Sequence, residues 1–179
     1  MKALITGASS GMGRDMAKIL SQKGYDLILV ARDEKKLEEV KKQLKTETKI
    51  VVMDISNEEN CKKIYEENKD IDILINNAGF GDCGHFEETS LDKDIQMIHT
   101  NIIAYHILTK LYLKEMIKKD SGKILNVASI AGFMPGPLMT TYYSTKNYVV
   151  RFSESIREEL RRKKSKVQIS ILCPGPVDT

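Results

Sequence analysis

Short apolar runs alternate along the chain with longer stretches in which apolar residues recur every three or four positions. The runs Ala3–Ile5, Leu27–Val30, Lys49–Met53, Ile71–Ile75, Lys123–Ala128 and Val167–Leu172 predict six strands. Leu27–Val30 shows no polar alternation, which marks a strand buried on both faces, as in a parallel sheet. Helical spacing fills the intervals. Met12, Met16, Ile19 and Leu20 predict a helix over Gly11–Lys23, ended by Gly24. Leu37, Val40 and Leu44 predict a second helix after Asp33, and Cys61, Ile64 and Tyr65 a third, capped by Ser56 or Asn57. A helical pattern runs from Leu91 to Lys119 with a break near His99–Asn101, and Gly122 stops it. A last helix spans Tyr142–Lys164. Loops cover Asn76–Glu88 and Ser129–Thr141, and Pro174-Gly175-Pro176 forbids regular structure. With no linker and no repeat, residues 1–179 read as a single α/β domain with a mostly parallel sheet. The sequence stops at Thr179, directly after the loop that leaves the sixth strand, which predicts a C-terminally truncated or incompletely represented protein.

Between the first strand and first helix lies Thr6-Gly7-Ala8-Ser9-Ser10-Gly11-Met12-Gly13. Small residues let the backbone approach a pyrophosphate, while the helix N-terminus offers amide donors and positive dipole. No Gly-Lys-Ser/Thr follows, so the loop is not a P-loop. Dinucleotide folds place an acidic residue at the end of the second strand to bind the ribose 2'-hydroxyl. Here that stretch reads Val30-Ala31-Arg32-Asp33. A carboxylate repels a 2'-phosphate and an arginine pairs with one, so Arg32 favours NADP(H), with NAD(H) possible. Asp33 has two readings, an N-cap or a ribose ligand. Asp54, at the end of the third strand, reads as an adenine contact or a plain loop residue, with Ile55 beside it.

The chain resembles the classical short-chain dehydrogenase/reductase family over essentially its whole length. The resemblance rests on the Gly7–Gly13 loop, Asp54, Asn76-Asn77-Ala78-Gly79, Asn101, Ser129, Tyr142-x-x-x-Lys146 and Pro174-Gly175. It implies a Rossmann-like, doubly wound, three-layer α/β/α fold without the family's C-terminal strand and substrate lid. It implies cofactor binding by Gly7, Ser9, Ser10, Gly11, Met12, Gly13, Arg32, Asp54, Ile55, Asn77, Ala78, Gly79, Tyr142, Lys146, Pro174 and Gly175. It also implies a catalytic group of Asn101, Ser129, Tyr142 and Lys146, with Asn101 holding a water that joins Lys146 to solvent.

Simple chemistry agrees. Tyr142 and Lys146 are four apart and share a helix face. A tyrosine titrates ordinarily near about 10, and an adjacent ammonium and a helix N-terminus both favour its phenolate. Tyr142 is then the general acid/base and Ser129 the donor that polarises the substrate oxygen. Tyr143 has no ammonium four residues on, since that position is Asn147. The reading is an oxidoreductase that interconverts a carbonyl compound and a secondary alcohol by hydride transfer. The alternatives are an NAD(H)-dependent member of the same family or a non-catalytic nucleotide-binding protein.

Composition adds exclusions. The 28 basic and 25 acidic residues leave a net charge of +3, too balanced for a nucleic-acid or membrane partner. The run Arg161–Lys166 reads as a solvated helix end. Cys61, Cys83 and Cys173 have neither metal-knuckle nor redox spacing, and His85, His99 and His106 form no metal cluster. His99 and His106 are expected on one helix side, and His85 is a possible substrate contact. No signal or membrane span is visible, so the expected location is cytoplasmic. Phe80, Cys83, Phe86, Ile130, Phe133, Met134, Leu138 and Met139 are expected to form a moderately apolar substrate pocket. The two long helices carry spare apolar residues, and by resemblance they predict a homodimer.

Overall fold

Val, Ile and Leu dominate the strands, and successive residues point to opposite faces of one sheet. The computed structural model describes residues 1–176. Its strands are β1 (Lys2–Thr6), β2 (Asp26–Ala31), β3 (Thr48–Val52), β4 (Ile73–Asn76), β5 (Lys123–Val127) and β6 (Gln168–Leu172). Their order is β3-β2-β1-β4-β5-β6, and all pairings are parallel. The chain winds outward in one direction to β3 and in the other to β6. The reversal between β1 and β4 leaves a crevice at the carboxyl ends of the strands, where open α/β sheets bind ligands.

Helices α1 (Gly11–Gln22), α2 (Glu34–Lys41), α3 (Glu58–Glu67), α4 (Leu91–Ile98), α5 (Ala104–Lys119) and α6 (Thr140–Arg162) cover the sheet. Ala3, Ile5, Leu27 and Leu29 pack against Ala17 of α1 and Leu37 and Val40 of α2. Leu4, Ile28, Val30 and Leu74 face the other way, against Cys61 and Ile64 of α3 and Leu108, Tyr112 and Met116 of α5. The strands are thus buried on both faces, and the expected three-layer α/β/α architecture is present. No helix among the described residues is long and apolar enough to cross a membrane.

Some boundaries differ from the expectation. Helix α2 ends at Lys41, and a tight turn then carries Leu44 into the core, with its N–H donating to Lys41 O. Asn57, not Ser56, caps α3, its Oδ1 accepting from Glu59 N at 2.9 Å. Helix α6 begins two residues early, at Thr140, and stops at Arg162. The loop after β5 contains a 3-10 turn, Ile130–Phe133, whose start Ser129 caps by accepting from Ala131 N.

The break near His99 is a π-helical segment, His99–Ile103, joining α4 to α5. Such wide turns frequently mark functional sites. It also upsets the α-helical phase, so the two histidines do not share a side. His99 lies in a hollow with Ser56 and Ser90, whereas His106 faces α6, its Nδ1 2.7 Å from Tyr148 Oη.

A polar chain crosses the core beneath the crevice. Asn76 Nδ2 donates to Asn126 Oδ1 at 2.8 Å and to Thr109 Oγ1 at 3.0 Å. Asn126 Nδ2 donates in turn to Ser153 Oγ, and Ser153 to Val149 O. All four of these side chains are fully buried.

Candidate active site

The glycine loop sits where the sheet reverses. Gly7 has φ +65°, a left-handed conformation that glycine adopts without strain. A Cβ on Gly13 would lie 2.2 Å from Gly7 O, so only glycine lets α1 approach the loop so closely. Asn77 locks the arrangement from β4, its Nδ2 donating to Thr6 O at 3.0 Å and Gly7 O at 3.2 Å. Thr6 Oγ1 accepts from Asn77 N and Ala78 N.

A groove of about 480 Å³ runs over this loop. Gly7, Ser9, Ser10, Gly11 and Met12 form its floor, Arg32, Asp33, Asp54 and Ile55 one end, and Asn77, Ala78 and Gly79 the other. Gly13 is buried beneath it. The amide-rich turn, the start of α1 opening onto the groove and the guanidinium among its lining residues fit a dinucleotide. Asp33 is engaged as an N-cap, its Oδ1 accepting from Lys36 N at 3.0 Å. Arg32 Nη1 lies 3.9 Å from Asp54 Oδ2, with the Arg32 side chain largely exposed and Asp54 partly so. Asp54 itself caps a turn, accepting from Ser56 N.

A second cleft, of about 690 Å³, adjoins the first, and the two share Met12, Asn77, Gly79 and Phe80. Ser129 reaches it from the end of β5, Tyr142 and Lys146 from the first turns of α6, and Pro174 and Gly175 from the segment after β6. Tyr142 packs beside Gly81, where a Cβ would come within 3.1 Å of its ring. Tyr143 borders the same cleft, with its ring covering Gly136. Lys146 is 4% exposed. Its Nζ donates to Val127 O at 3.0 Å and lies 5.7 Å from the centre of the Tyr142 ring. Burial holds the Lys146 ammonium down to about 8, with the nearby Cys173 thiol acting weakly the other way.

Asn101, fully buried in the π segment, clamps the loop after β4. Its Oδ1 accepts from Phe80 N at 3.2 Å, and its Nδ2 donates to Phe80 O at 2.9 Å and Thr145 Oγ1 at 3.1 Å. Thr145 Oγ1 donates to Tyr142 O at 2.7 Å. Asn101 is thereby tied to the turn that carries Tyr142, through a threonine that motif reading passes over.

The expected apolar pocket divides. Phe80, Cys83, Ile130 and Met139 line the catalytic cleft. Phe86 and Leu138 border a small separate hollow, and Phe133 and Met134 a groove on the far side of Tyr143. The 3-10 turn carries the chain after Ala131 away from the cleft, which takes Phe133 and Met134 out of it. His85 does not line the cleft. Cys83 is exposed at its rim, whereas Cys61 is buried in the core with its thiol pushed up to about 12. Among the described residues no group of three or more His, Cys, Asp or Glu is placed to hold a metal.

Comparison with known proteins supplies the context. The family model for short chain dehydrogenases matches residues 1–179. An uncharacterized oxidoreductase of Staphylococcus epidermidis is 34% identical, over 99% of this chain and 78% of its own. The 3-oxoacyl-[acyl-carrier-protein] reductase of Haemophilus influenzae is 32% identical, over 99% of this chain and 74% of its own. A metagenomic short-chain oxidoreductase solved with NADP superposes with a TM-score of 0.88 at 29% identity, covering 99% of this chain and 83% of its own. A Burkholderia phymatum short-chain dehydrogenase/reductase solved with NAD gives 0.92 at 30% identity, covering 98% and 66%. Fold, glycine loop and sequence agree, and the chain belongs to the short-chain dehydrogenase/reductase family of NAD(P)-dependent oxidoreductases.

Proposed function

We propose that the protein is an NADP(H)-preferring reductase that interconverts a carbonyl compound and a secondary alcohol, with Tyr142 as general acid/base. The observation that carries this reading is the shared wall between the two clefts. It sets Ser129, Tyr142 and Lys146 around one space that opens directly onto the glycine groove. A bound nicotinamide supplies the hydride chemistry. Around it, Ser129 Oγ donates to the substrate oxygen, and the Tyr142 phenol passes its proton to that oxygen as negative charge develops there. Lys146 places a positive charge beside the Tyr142 ring and stabilises the phenolate that remains. Asn101 keeps the loop after β4 in place beneath both. Phe80, Cys83, Ile130 and Met139 favour a substrate with an apolar body, as in the 3-oxoacyl chain named for the Haemophilus relative.

The test is NADPH oxidation against a panel of 3-oxoacyl thioesters, aryl ketones and steroid ketones. Turnover of at least one class is expected. Tight NADPH binding with no turnover of any class would favour the non-catalytic nucleotide-binding alternative.

The NADP(H) preference rests on Arg32, which lies at the groove end with Lys36 nearby and Asp33 engaged as a cap. Relatives solved with NADP and with NAD both superpose, so this chain's own residues decide the matter. Arg32→Ala is expected to weaken NADPH binding roughly 10- to 100-fold, the worth of a charge-assisted hydrogen bond, and to leave NADH binding nearly unchanged. Calorimetric titration of both cofactors measures this, and equal losses for the two would remove the 2'-phosphate assignment.

The same reading includes a homodimer. His106 of α5 stacks on Phe152 of α6 at 5.2 Å, and Tyr148 lies against the same ring at 5.5 Å. These side chains are only half-buried within one chain and form an aromatic face across the two helices. Light scattering at micromolar concentration is expected to give twice the chain mass, and a monomer mass rejects this face as a dimer contact.

A further inference from the structure

Lys146 is surrounded from five directions. Val127 O of β5 accepts from it, the Tyr142 ring of its own helix lies alongside, and Cys173 approaches from the segment after β6. Asn101 lies across Gly79 from it, since a Cβ on that glycine would meet Asn101 Oδ1 at 3.0 Å and Lys146 Nζ at 3.4 Å. The fifth neighbour is Tyr105, in the first turn of α5 directly after the π segment. Tyr105 is fully buried. Its Oη donates to Val127 O at 3.2 Å, the same oxygen that accepts from Lys146 Nζ at 3.0 Å. The centre of its ring is 5.9 Å from Nζ. A buried phenol that only filled space would need an acceptor, but not this particular carbonyl.

We propose that Tyr105 is a positioning residue for Lys146, holding the ammonium between its ring and a Val127 carbonyl that the phenol and the ammonium share. The proposal deepens the functional reading above and rests on it for its catalytic meaning. The two parts of the side chain act with opposite sign on the Lys146 charge. The ring offers its electron-rich face, which favours the ammonium. The hydroxyl turns the positive end of its O–H dipole toward the shared oxygen and so draws down the negative potential that Lys146 feels. The wide turn of the π segment matters because it fixes the rotation at which α5 presents Tyr105 to β5.

The test uses the complete chain labelled with 13Cε-lysine, with the Lys146 resonance assigned by its loss in Lys146→Met. The wild-type midpoint is expected near about 8, where burial holds it. Tyr105→Phe keeps the ring, fills the same space and leaves Val127 O with its lysine donor, so the fold is retained. Its Lys146 midpoint is expected to rise by roughly half a pH unit, the scale of a lost opposing dipole. Tyr105→Leu loses ring and hydroxyl together. Its midpoint is expected to fall by about half a unit or more below wild type, the scale of a desolvated cation–π contact.

A packing role alone would lower the melting temperature and leave both midpoints where they are. An unmoved midpoint in the Phe variant, or a rise in the Leu variant, overturns the proposal, and the Phe result stands even if Tyr105→Leu fails to fold. The resonance reports on Lys146 whether or not the enzyme turns over. A Lys146 that titrates as described, but whose replacement leaves turnover intact, would defeat the functional reading and not the role of Tyr105.

Discussion

Tyr142→Phe is expected to lower kcat for carbonyl reduction by about 1,000-fold while leaving NADPH affinity within about twofold, the scale of a lost general acid. The phenylalanine ring retains every contact the tyrosine ring makes, including the approach to Gly81 and the edge-on meeting with Tyr143 at 6.2 Å. Only the phenolic oxygen leaves. Neither the Ser129 hydroxyl nor the Lys146 ammonium is displaced, so the loss appears in the chemical step rather than in binding. Tyr143 borders the same cleft but is a poor substitute, because its ring lies against Gly136, where a Cβ would come within 2.3 Å, and Lys146 Nζ sits over the Tyr142 ring instead. Steady-state kinetics beside calorimetric cofactor titration separate the two effects. A variant that keeps most of its rate would remove Tyr142 from the proton path.

Lys146→Met is expected to act in opposite directions on activity and stability. Turnover falls with loss of the charge beside Tyr142, while the cofactor-free protein becomes more stable at neutral pH. Lys146 titrates near about 8 in the folded chain, well below the ordinary lysine value of 10.5, and burial is the main cause. Between those two pH values the unfolded chain holds a proton that the folded one has released, so wild-type stability rises with pH across that window. Below about 8 the cost of burying the charge is present in full, of order 3 kcal/mol from the size of the depression.

Methionine fills the space of the lysine stem without the charge. After allowing for the lost bond to Val127 O and the ring contacts, a gain of about 1–3 kcal/mol remains at pH 7. For a chain of this size that raises the melting temperature by roughly 3–10 °C. Urea unfolding at pH 7 and at pH 10 measures it, and the advantage should shrink at the higher pH. A methionine variant less stable than wild type at pH 7 would show that Lys146 is well compensated in its pocket.

Residues whose side chains carry their own chemistry were legible from sequence. The glycine loop, Asn77, Ser129 and the Tyr142–Lys146 spacing all announce themselves by residue type at a fixed interval. Tyr105 and Thr145 were not legible, for a shared reason. Each works through a backbone carbonyl, Val127 O and Tyr142 O respectively. No residue type encodes a carbonyl's position before the fold has placed it. The π segment showed only as a faltering of the helical period, because a widened turn changes phase without changing composition. The apolar loop residues were visible as a set, but their division among the cleft, a small hollow and a groove depends on how the loops fold, the 3-10 turn capped by Ser129 included. That turn has no strong propensity signal of its own. Asp33 and Asp54 each had two readings; Asp33 caps α2 and Asp54 caps a local turn, and both also line the glycine groove.

The buried asparagines bear on how the chain finds its native pairing. Strands that are apolar on both faces give little to distinguish one alignment from the next, since sliding by a residue exchanges one aliphatic side chain for another. Asn76 and Asn126 are partners across β4 and β5, and their carboxamides meet only in that alignment. A slip of one position would break the bond between them and turn one amide to the opposite face, away from Thr109 or Ser153 as well, at about 1–3 kcal/mol for each group left unsatisfied in a dry interior. The pair therefore works as a register key at the centre of the sheet, penalising the misaligned forms that the aliphatic residues around it would tolerate.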